Sequence, residues 1–436
     1  MNIIIAGAGR VGFRLARTLS PKHDVIIIDQ NEEALRRLNE SIDALTLYAN
    51  VEDPKSYESL KGKTYDYFIA VTDSDEINLV CSLIADEKIF VKRKIIRLKN
   101  KFFAKSSIAS KIGITDAVFP FSMVAESVKS IALTPCANNV KCFKHFPQQL
   151  ISIRAKTAVT TPTPIASLTS ETLKVVGVDR GGDFFIPSPE ELLCQNDIIF
   201  CFGNPASILA LGQQLQQETP RKNRCGVIFG ASILGVEIAK ALVESGITVK
   251  LIEKDLTLCT QASSLLQENA TVINSKYGDY RLYQEEGLAS ADILIAATTN
   301  DNENIVKCIE AKELGIKRVI AINNDIEHYR LMHSLGIIAL RGPKMNAFYG
   351  IMEIFNSNAT VEERYFCGGS GLVFMRHFEN LPSSLRSTPS EAFILFIQQH
   401  RIVSSMQNLI REESFTLLAF AKRINEEGVQ SWINGL

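Results

Sequence analysis

The chain has 436 residues, of which 46% are apolar and 22% are charged, and its formal net charge is −1. This length suits about two to four domains, and this composition excludes an intrinsically disordered protein. The near-neutral charge disfavours a nucleic-acid-binding protein, which normally carries a basic face.

The first predicted elements are a β-strand at residues 3–5, a glycine turn and a helix that begins near Val11. The turn has the pattern Gly7-x-Gly9-x-x-Gly12. In this context Gly7 permits a tight turn, Gly9 lets the backbone approach a pyrophosphate, and Gly12 lets the helix pack on the strand. The free N–H groups at the start of the helix attract phosphate. The turn therefore predicts a site for a dinucleotide or an adenine nucleotide.

The second predicted strand ends at Asp29, followed by Gln30. An acid at this point accepts hydrogen bonds from a ribose diol and repels a 2′-phosphate. NAD(H) or ATP/ADP is therefore favoured over NADP. Arg10, inside the turn, either pairs with phosphate or is an exposed surface arginine, and the sequence leaves both open.

Residues 138–220 differ in character from those before them, with a Thr- and Pro-rich break at 160–164. Short apolar pieces at 151–153 and 198–200 predict strands of a small α+β domain.

Residues 224–356 then repeat the plan of residues 1–137 at an offset of 223 to 226 positions. In both copies short β-branched runs alternate with helical patterns, which is typical of βαβ units and a parallel sheet. The second glycine turn, Gly230 to Gly235, carries Ser232 in place of the middle glycine and Leu234 before the last one. Glu253 keeps the acid. This copy either binds a nucleotide weakly or has become a structural unit.

The tail after residue 357 contains apolar runs at 393–397 and 415–419 that are consistent with strands. We therefore predict an α/β protein with two tandem Rossmann-type, doubly wound parallel sheets, each followed by a small α+β subdomain. The predicted domains are residues 1–137, 138–220, 221–356 and 357–436.

The histidines and cysteines give no sign of catalysis or of a metal site. The six histidines (23, 145, 328, 333, 377 and 400) form no Ser/His/Asp or H-E-x-x-H pattern, and the nine cysteines contain no C-x-x-C pair. A dehydrogenase would need an acid/base facing the nicotinamide. We expect a protein that is not an enzyme. The alternatives are an NAD-dependent oxidoreductase and a Rossmann scaffold or redox sensor without catalysis.

No apolar stretch approaches the length that spans a bilayer, and no secretory signal pattern precedes the first strand. With cysteines suited to a reducing compartment, this predicts a cytoplasmic protein. Any membrane role would then depend on a partner.

Two related segments carry a family resemblance, Ala70-Val71-Thr72-Asp73-Ser74-Asp75-Glu76-x-Asn78 and its counterpart at residues 296–304. Together with the glycine turn and Asp29, they resemble the regulator-of-potassium-conductance (RCK) domains. The duplicated arrangement is similar to the cytosolic subunits of Trk-type bacterial potassium uptake systems. The resemblance implies a homo-oligomer, a dimer or a tetrameric ring, at the inner face of the plasma membrane. There, nucleotide binding would gate a Trk-type potassium-translocating membrane subunit.

The resemblance also implies further binding residues in the first copy. These are Thr72 and Asp73 after the fourth strand, Glu76 at the start of the next helix, and Arg97 by the phosphates of the neighbouring nucleotide. Near the adenine, where the family usually has Gly-Asp, this chain departs from the pattern with Asn50, followed by Val51, and Asn50 can still hydrogen-bond an adenine edge. In the second copy, Lys276 and Ala321 stand where Asn50 and Arg97 are expected to have counterparts. We therefore expect the first turn to bind tightly and the second weakly or not at all.

Overall fold

The computed structural model describes most of the chain. The described residues are 1–105, 107–155, 163–216, 223–276, 281–325, 328–358, 360–382, 384–385, 388–410 and 412–436.

The first copy forms a six-stranded, all-parallel sheet in the order β3-β2-β1-β4-β5-β6. Its strands are β1 Asn2–Ala6, β2 Asp24–Asp29, β3 Leu45–Tyr48, β4 Thr64–Ala70, β5 Phe90–Arg97 and β6 Asp116–Val118. Ile3, Ile4 and Ile5 of the central strand are fully buried. Burial of successive residues is expected where helices cover both faces of a parallel sheet. This strand order reverses direction between β1 and β4, which is where such sheets bind nucleotides.

The helices of the first copy alternate with these strands, as predicted. They are α1 Arg10–Leu19, α2 Glu32–Asn39, α3 Asp75–Lys88, α4 Phe102–Lys105, α5 Ile108–Lys111 and α6 Pro120–Leu133.

An antiparallel sheet follows, in the order β10-β9-β11-β8-β7. Its elements are β7 Ala137–Cys142, β8 Gln149–Arg154, β9 Leu173–Arg180, β10 Asp183–Phe185, β11 Ile198–Gly203 and the helix α7 Pro205–Gln216. The predicted strands at 151–153 and 198–200 are confirmed as parts of β8 and β11. The expected break at 160–164 lies mostly outside the described residues.

The second copy repeats the parallel sheet, in the order β14-β13-β12-β15-β16-β17. Its strands are β12 Cys225–Phe229, β13 Thr248–Glu253, β14 Thr271–Asn274, β15 Ile293–Ala296, β16 Arg318–Asn323 and β17 Ile338–Arg341. Its helices are α8 Ile233–Val243, α9 Leu256–Leu266, α10 Arg281–Glu285, α11 Asp301–Glu313, α12 Tyr329–Ser334 and α13 Pro343–Asn356.

The tail forms a second antiparallel sheet, in the order β18-β19-β22-β20-β21. Its elements are β18 Val361–Phe366, β19 Gly371–Phe378, β20 Ala392–Gln398, β21 Arg401–Val403, β22 Phe415–Lys422 and α14 Glu426–Asn434. The strands expected at 393–397 and 415–419 are confirmed, and so is the predicted fold class. Short 3-10 helices lie at Pro54–Leu60, Ile165–Leu168, Gln267–Asn269, Leu288–Ser290, Cys367–Gly369, Met406–Asn408 and Arg423–Asn425.

The chain divides into two compact units, and the division does not follow the order of the sequence. The first unit contains Met1–Met123 and Gly342–Phe355, and the second contains Val124–Arg341 and Asn356–Leu436. Helix α13, which follows the last strand of the second copy, therefore belongs almost entirely to the first unit. The domain boundaries expected from the sequence stay a prediction.

No helix in the described part of the chain is both long and apolar enough to cross a membrane.

Candidate functional site

Two glycines of the first turn are required by the fold itself. Gly7 has a φ of +108°, and a Cβ there would lie 3.1 Å from the backbone nitrogen of Thr72. At Gly12 a Cβ would lie 1.8 Å from the carbonyl oxygen of Gly7. The turn and the helix α1 can therefore approach β1 and β4 this closely only without side chains at these positions.

The middle glycine is different, because the protein leaves space around it. Gly9 has an ordinary extended conformation, with φ −65° and ψ −175°. A Cβ built on it meets no atom within 4 Å. The fold therefore does not require a glycine here, and the open space fits the close approach of a ligand phosphate to the start of α1.

A cavity of about 270 Å³ lies at this turn, within the first unit. Its lining brings together most of the residues that the sequence pointed to in the first copy, although they come from separate stretches of chain. The lining residues are Gly7, Gly9, Arg10, Val11, Asp29, Val71, Thr72, Asp73, Arg97 and Lys344.

Arg97 is the most deeply buried charge in this lining, and it is 5% exposed. Its Nη1 atom donates to Oδ1 of Asp73 at 3.1 Å, while the Asp73 side chain is 86% exposed. The Nε of Arg97 is buried and has no hydrogen-bond partner. A buried guanidinium with an unused donor is costly unless an anion joins it, so this arrangement suits a ligand phosphate.

Asp29 holds the turn in place. Its Oδ2 accepts from the backbone N–H of Ala8 at 2.5 Å, and its Oδ1 accepts from that of Asn31 at 2.8 Å. A carboxylate offers about four lone-pair positions, so two remain for a ribose diol. The position is half-buried and lines the cavity.

The Thr72–Asn78 segment is a structural clamp as well as part of the cavity wall. Asn78 accepts from the Thr72 backbone N–H at 2.9 Å and donates to the Arg97 carbonyl at 2.8 Å. Asp75 accepts from the backbone N–H groups of Lys99 and Asn100, at 2.7 and 2.8 Å. These bonds tie the ends of β4 and β5 together and so fix the backbone that carries Asp73 and Arg97.

Five predicted site residues of the first copy lie outside the cavity lining. Gly12 packs on Gly7, Val51 is in the core, and Gln30 and Asn50 are exposed. Glu76 accepts from the Ser74 hydroxyl at 2.6 Å, and this bond lowers the pKa of its carboxyl group. Val71 and Lys344 line the cavity but were missed. Lys344 lies in the second copy, far along the sequence, so the motifs of the first copy did not point to it.

The second glycine turn keeps the backbone of the first. Gly230 has a φ of +105°, and a Cβ on Gly235 would lie 1.8 Å from the Gly230 carbonyl oxygen. The acid is enclosed, however. Glu253 is 4% exposed, and its carboxylate accepts from the backbone N–H groups of Ala231, Lys254 and Asp255. Leu234 is buried, and Ser232 precedes α8 without capping it through its side chain.

The strand register corrects one detail of the comparison between copies. Ala70 pairs with Ile96, and the equivalent Ala296 pairs with Ala321. The counterpart of Arg97 is therefore Ile322, and not Ala321 as the sequence suggested. Asn304 supports this, because it donates to the Ile322 carbonyl as Asn78 does to that of Arg97. The second copy still lacks the arginine.

Among the described residues, those that line the cavity include no histidine. Within the described ranges, no group of three or more His, Cys, Asp or Glu side chains is placed to hold a metal ion.

Two parallel sheets of this strand order, each with a glycine turn at its switch point, define the chain as a tandem Rossmann-type protein. The TrkA-N domain model matches residues 3–120 and 226–340, more than half of the chain. The chain therefore belongs to the TrkA-N domain family, which confirms the resemblance seen in its motifs.

Relatives and solved structures agree with this family. The Trk system potassium uptake protein trkA homolog 1 of Methanosarcina mazei is 28% identical over 361 residues, covering 79% of this chain and 86% of its own. The GsuK channel bound to NAD has a TM-score of 0.63 at 16% identity, covering 100% of this chain and 79% of that one. GsuK bound to ADP has a TM-score of 0.52 at 14% identity, covering 81% and 68%. The two structures share the fold.

Proposed function

We propose that this chain is a cytosolic, nucleotide-binding regulatory subunit that gates a Trk-type potassium-translocating membrane subunit. Its TrkA-N membership and the names of its relatives support the transport role. One observation carries the nucleotide role, namely the cavity where the glycine turn, Asp29 and the buried Arg97 meet.

The residues of the first copy fit a nucleotide bound along this cavity. We propose that Gly9 and the start of α1 hold the phosphates with Arg10 and Arg97, and that Asp29 holds the ribose. Thr72 and Asp73 complete the wall. NAD(H) and ADP or ATP share the adenosine diphosphate group that this site would take, and GsuK has been solved with NAD and with ADP.

The second turn is proposed to bind weakly or not at all. Its acid is enclosed, Ser232 occupies the position of Gly9, and Ile322 occupies that of Arg97. The names of the relatives favour this regulatory role over that of an oxidoreductase, since a Rossmann fold alone does not decide function.

Regulation then follows from linkage. A nucleotide can shift the protein between two arrangements only by as much as it prefers one of them. The regulated assembly is proposed to be a homo-oligomer, a dimer or a tetrameric ring, at the inner face of the plasma membrane through its partner.

Titration calorimetry of the purified chain with ADP and with NADH tests the binding step. We expect one tight site, and we expect Gly9→Asp to weaken binding by more than about tenfold, since its carboxylate would repel phosphate. Ser232→Asp is the matched control and should leave the affinity unchanged. An affinity in Gly9→Asp equal to that of the unmodified chain would contradict the site.

Potassium flux tests the transport step. The chain is reconstituted with a Trk-type membrane subunit, and flux is measured while ADP or NADH is varied. Flux should depend on nucleotide with the unmodified chain and lose that dependence with Gly9→Asp. The regulatory role would be contradicted if the chain did not associate with the membrane subunit, or if flux did not change with nucleotide.

A further inference from the structure

Lys344 reaches the first nucleotide cavity from a distant part of the sequence. It is the second residue of α13, which follows the last strand of the second copy, yet it lines the cavity together with Arg10 and Arg97. The other lining residues all come from the first 97 positions of the chain. The helix that carries Lys344 lies in the first unit from its start to Phe355.

Contacts along α13 fix the place of Lys344. Arg14 of α1 donates to the sulfur of Met345, and its guanidinium lies 5.7 Å from the ring centre of Phe348. Both apolar residues are buried. Further along, Gly350 packs so closely on Val118 that a Cβ would lie 2.9 Å from its Cγ1. The start of α13 is therefore held against α1.

Helices α1 and α13 both reach the cavity with their N-terminal ends, which carry a partial positive charge. Neither α1 nor α13 has an acidic residue in its first turn. Acidic residues are normally favourable at a helix N-terminus. No carboxylate in the first turn of either helix therefore competes with a ligand phosphate at these two N-termini. The buried Nε of Arg97, which has no partner, indicates the same ligand charge.

We propose that Lys344 is a phosphate-binding residue of the first nucleotide site, so that the site is completed by the helix that follows the second sheet. This rests on the proposed nucleotide function and adds a residue and a route of regulation to it. Its ligand is the diphosphate group of an adenine nucleotide. That group lies between two helix N-termini, with Lys344 as a cation on the side of α13.

Reciprocal coupling follows. If the docked α13 strengthens nucleotide binding, bound nucleotide must strengthen the docking of α13 by the same factor. Occupancy of the first site is thereby coupled to a helix that follows β17 of the second sheet after one residue, Gly342.

The test compares Lys344→Gln with the unmodified chain, using ADP as the probe at low and at high salt. Losing one charged hydrogen bond should weaken ADP binding about tenfold at low salt. Salt screens such contacts, so the dependence of the affinity on salt should become shallower in Lys344→Gln. Lys344→Arg should bind within about threefold of the unmodified chain, since it keeps the charge.

Lys63→Gln is the matched control. It makes the same change of charge at an exposed lysine of the same unit, but it precedes β4 and lies at the opposite end of the sheet from the cavity. Its ADP affinity should not change. Backbone hydrogen exchange gives a second readout, because ADP should slow exchange in α13 of the unmodified chain and less so in Lys344→Gln.

The outcomes separate the two proposals. No ADP binding by the unmodified chain would overturn the nucleotide function at this site, and the role of Lys344 with it. Tight binding that is equal in the unmodified chain and in Lys344→Gln, with the same salt dependence, would overturn only the role of Lys344.

Discussion

At the scale of single residues, the glycines of one motif have two different reasons to be glycine. The fold itself requires glycine at Gly7 and Gly12, because a side chain at either position would meet backbone atoms. The fold does not require glycine at Gly9, because a Cβ there would meet no protein atom within 4 Å. The open space beside it is where a ligand would approach the backbone. A motif read from the sequence cannot separate these reasons, since both give the same letter.

This difference predicts that one alanine substitution lowers stability and the other weakens ligand binding. Gly12→Ala should lower the free energy of unfolding by roughly 3 kcal/mol, because the backbone must move to admit the methyl group. Gly9→Ala should leave stability within about 1 kcal/mol, yet weaken ADP binding. Thermal unfolding followed by circular dichroism, with ADP titration alongside, checks both. Equal loss of stability in the two variants would contradict the account.

At the scale of elements, the C-terminal end of helix α6 is bound by a side chain from β16, which is distant in the sequence. Arg318, the first residue of β16, donates to the carbonyl oxygens of Ile131, Thr134 and Ala137 at 3.0, 3.2 and 2.9 Å. The last carbonyls of a helix have no partner within it. A single guanidinium therefore closes α6 and joins it to the start of β7.

Replacing this arginine should loosen the second unit. Arg318→Met should lower the free energy of unfolding by about 3 kcal/mol, because it leaves three carbonyls without their charged donor. Trp432, the only tryptophan of the chain, lies in α14 of the second unit, so its fluorescence during urea unfolding reports on that unit. Arg401→Met, at an exposed site, should change the value by less than about 0.5 kcal/mol.

The elements themselves were largely predictable from the sequence. Fully apolar runs such as Ile3–Ile5 give a strong strand signal, and the repeat doubles the evidence for each strand. The burial of Glu253 was not predictable, because an acid after a second strand looks the same whether it faces a ligand or the backbone. The counterpart of Arg97 was misplaced by one residue, since apolar strands fix register only when their partners are known.

At the scale of the whole molecule, one buried carboxylate of the first small sheet bonds to helix α12 of the second Rossmann copy and to the 3-10 helix at Cys367–Gly369 of the second small sheet. Asp179 of β9 is fully buried. It accepts from the Tyr329 hydroxyl of α12 at 2.9 Å, from the Gly182 backbone N–H at 2.8 Å and from the Cys367 thiol at 3.6 Å. Burial raises the pKa values of Tyr329 and Cys367, so both stay protonated and can donate. Both small sheets are thereby joined to the second Rossmann copy.

Removing one donor tests this connection. Tyr329→Phe should lower the free energy of unfolding of the second unit by about 2 kcal/mol, because a buried carboxyl group loses a hydrogen-bond donor. The measurement is urea unfolding followed by Trp432 fluorescence. Tyr48→Phe, at an exposed tyrosine, should have no such effect. A loss no larger than that of the control would show that Asp179 does not depend on this bond.

The membership of α13 in the first unit also constrains the order of synthesis. The ribosome releases the first sheet early, but residues 124–341 must all emerge before the helix that completes its unit. Until then the surface that receives Met345 and Phe348 stays uncovered. The partly synthesised chain therefore exposes apolar surface of the first unit that can promote aggregation. For the same reason, a gene cut between the two copies would encode two fragments, neither of which contains a whole nucleotide-binding unit.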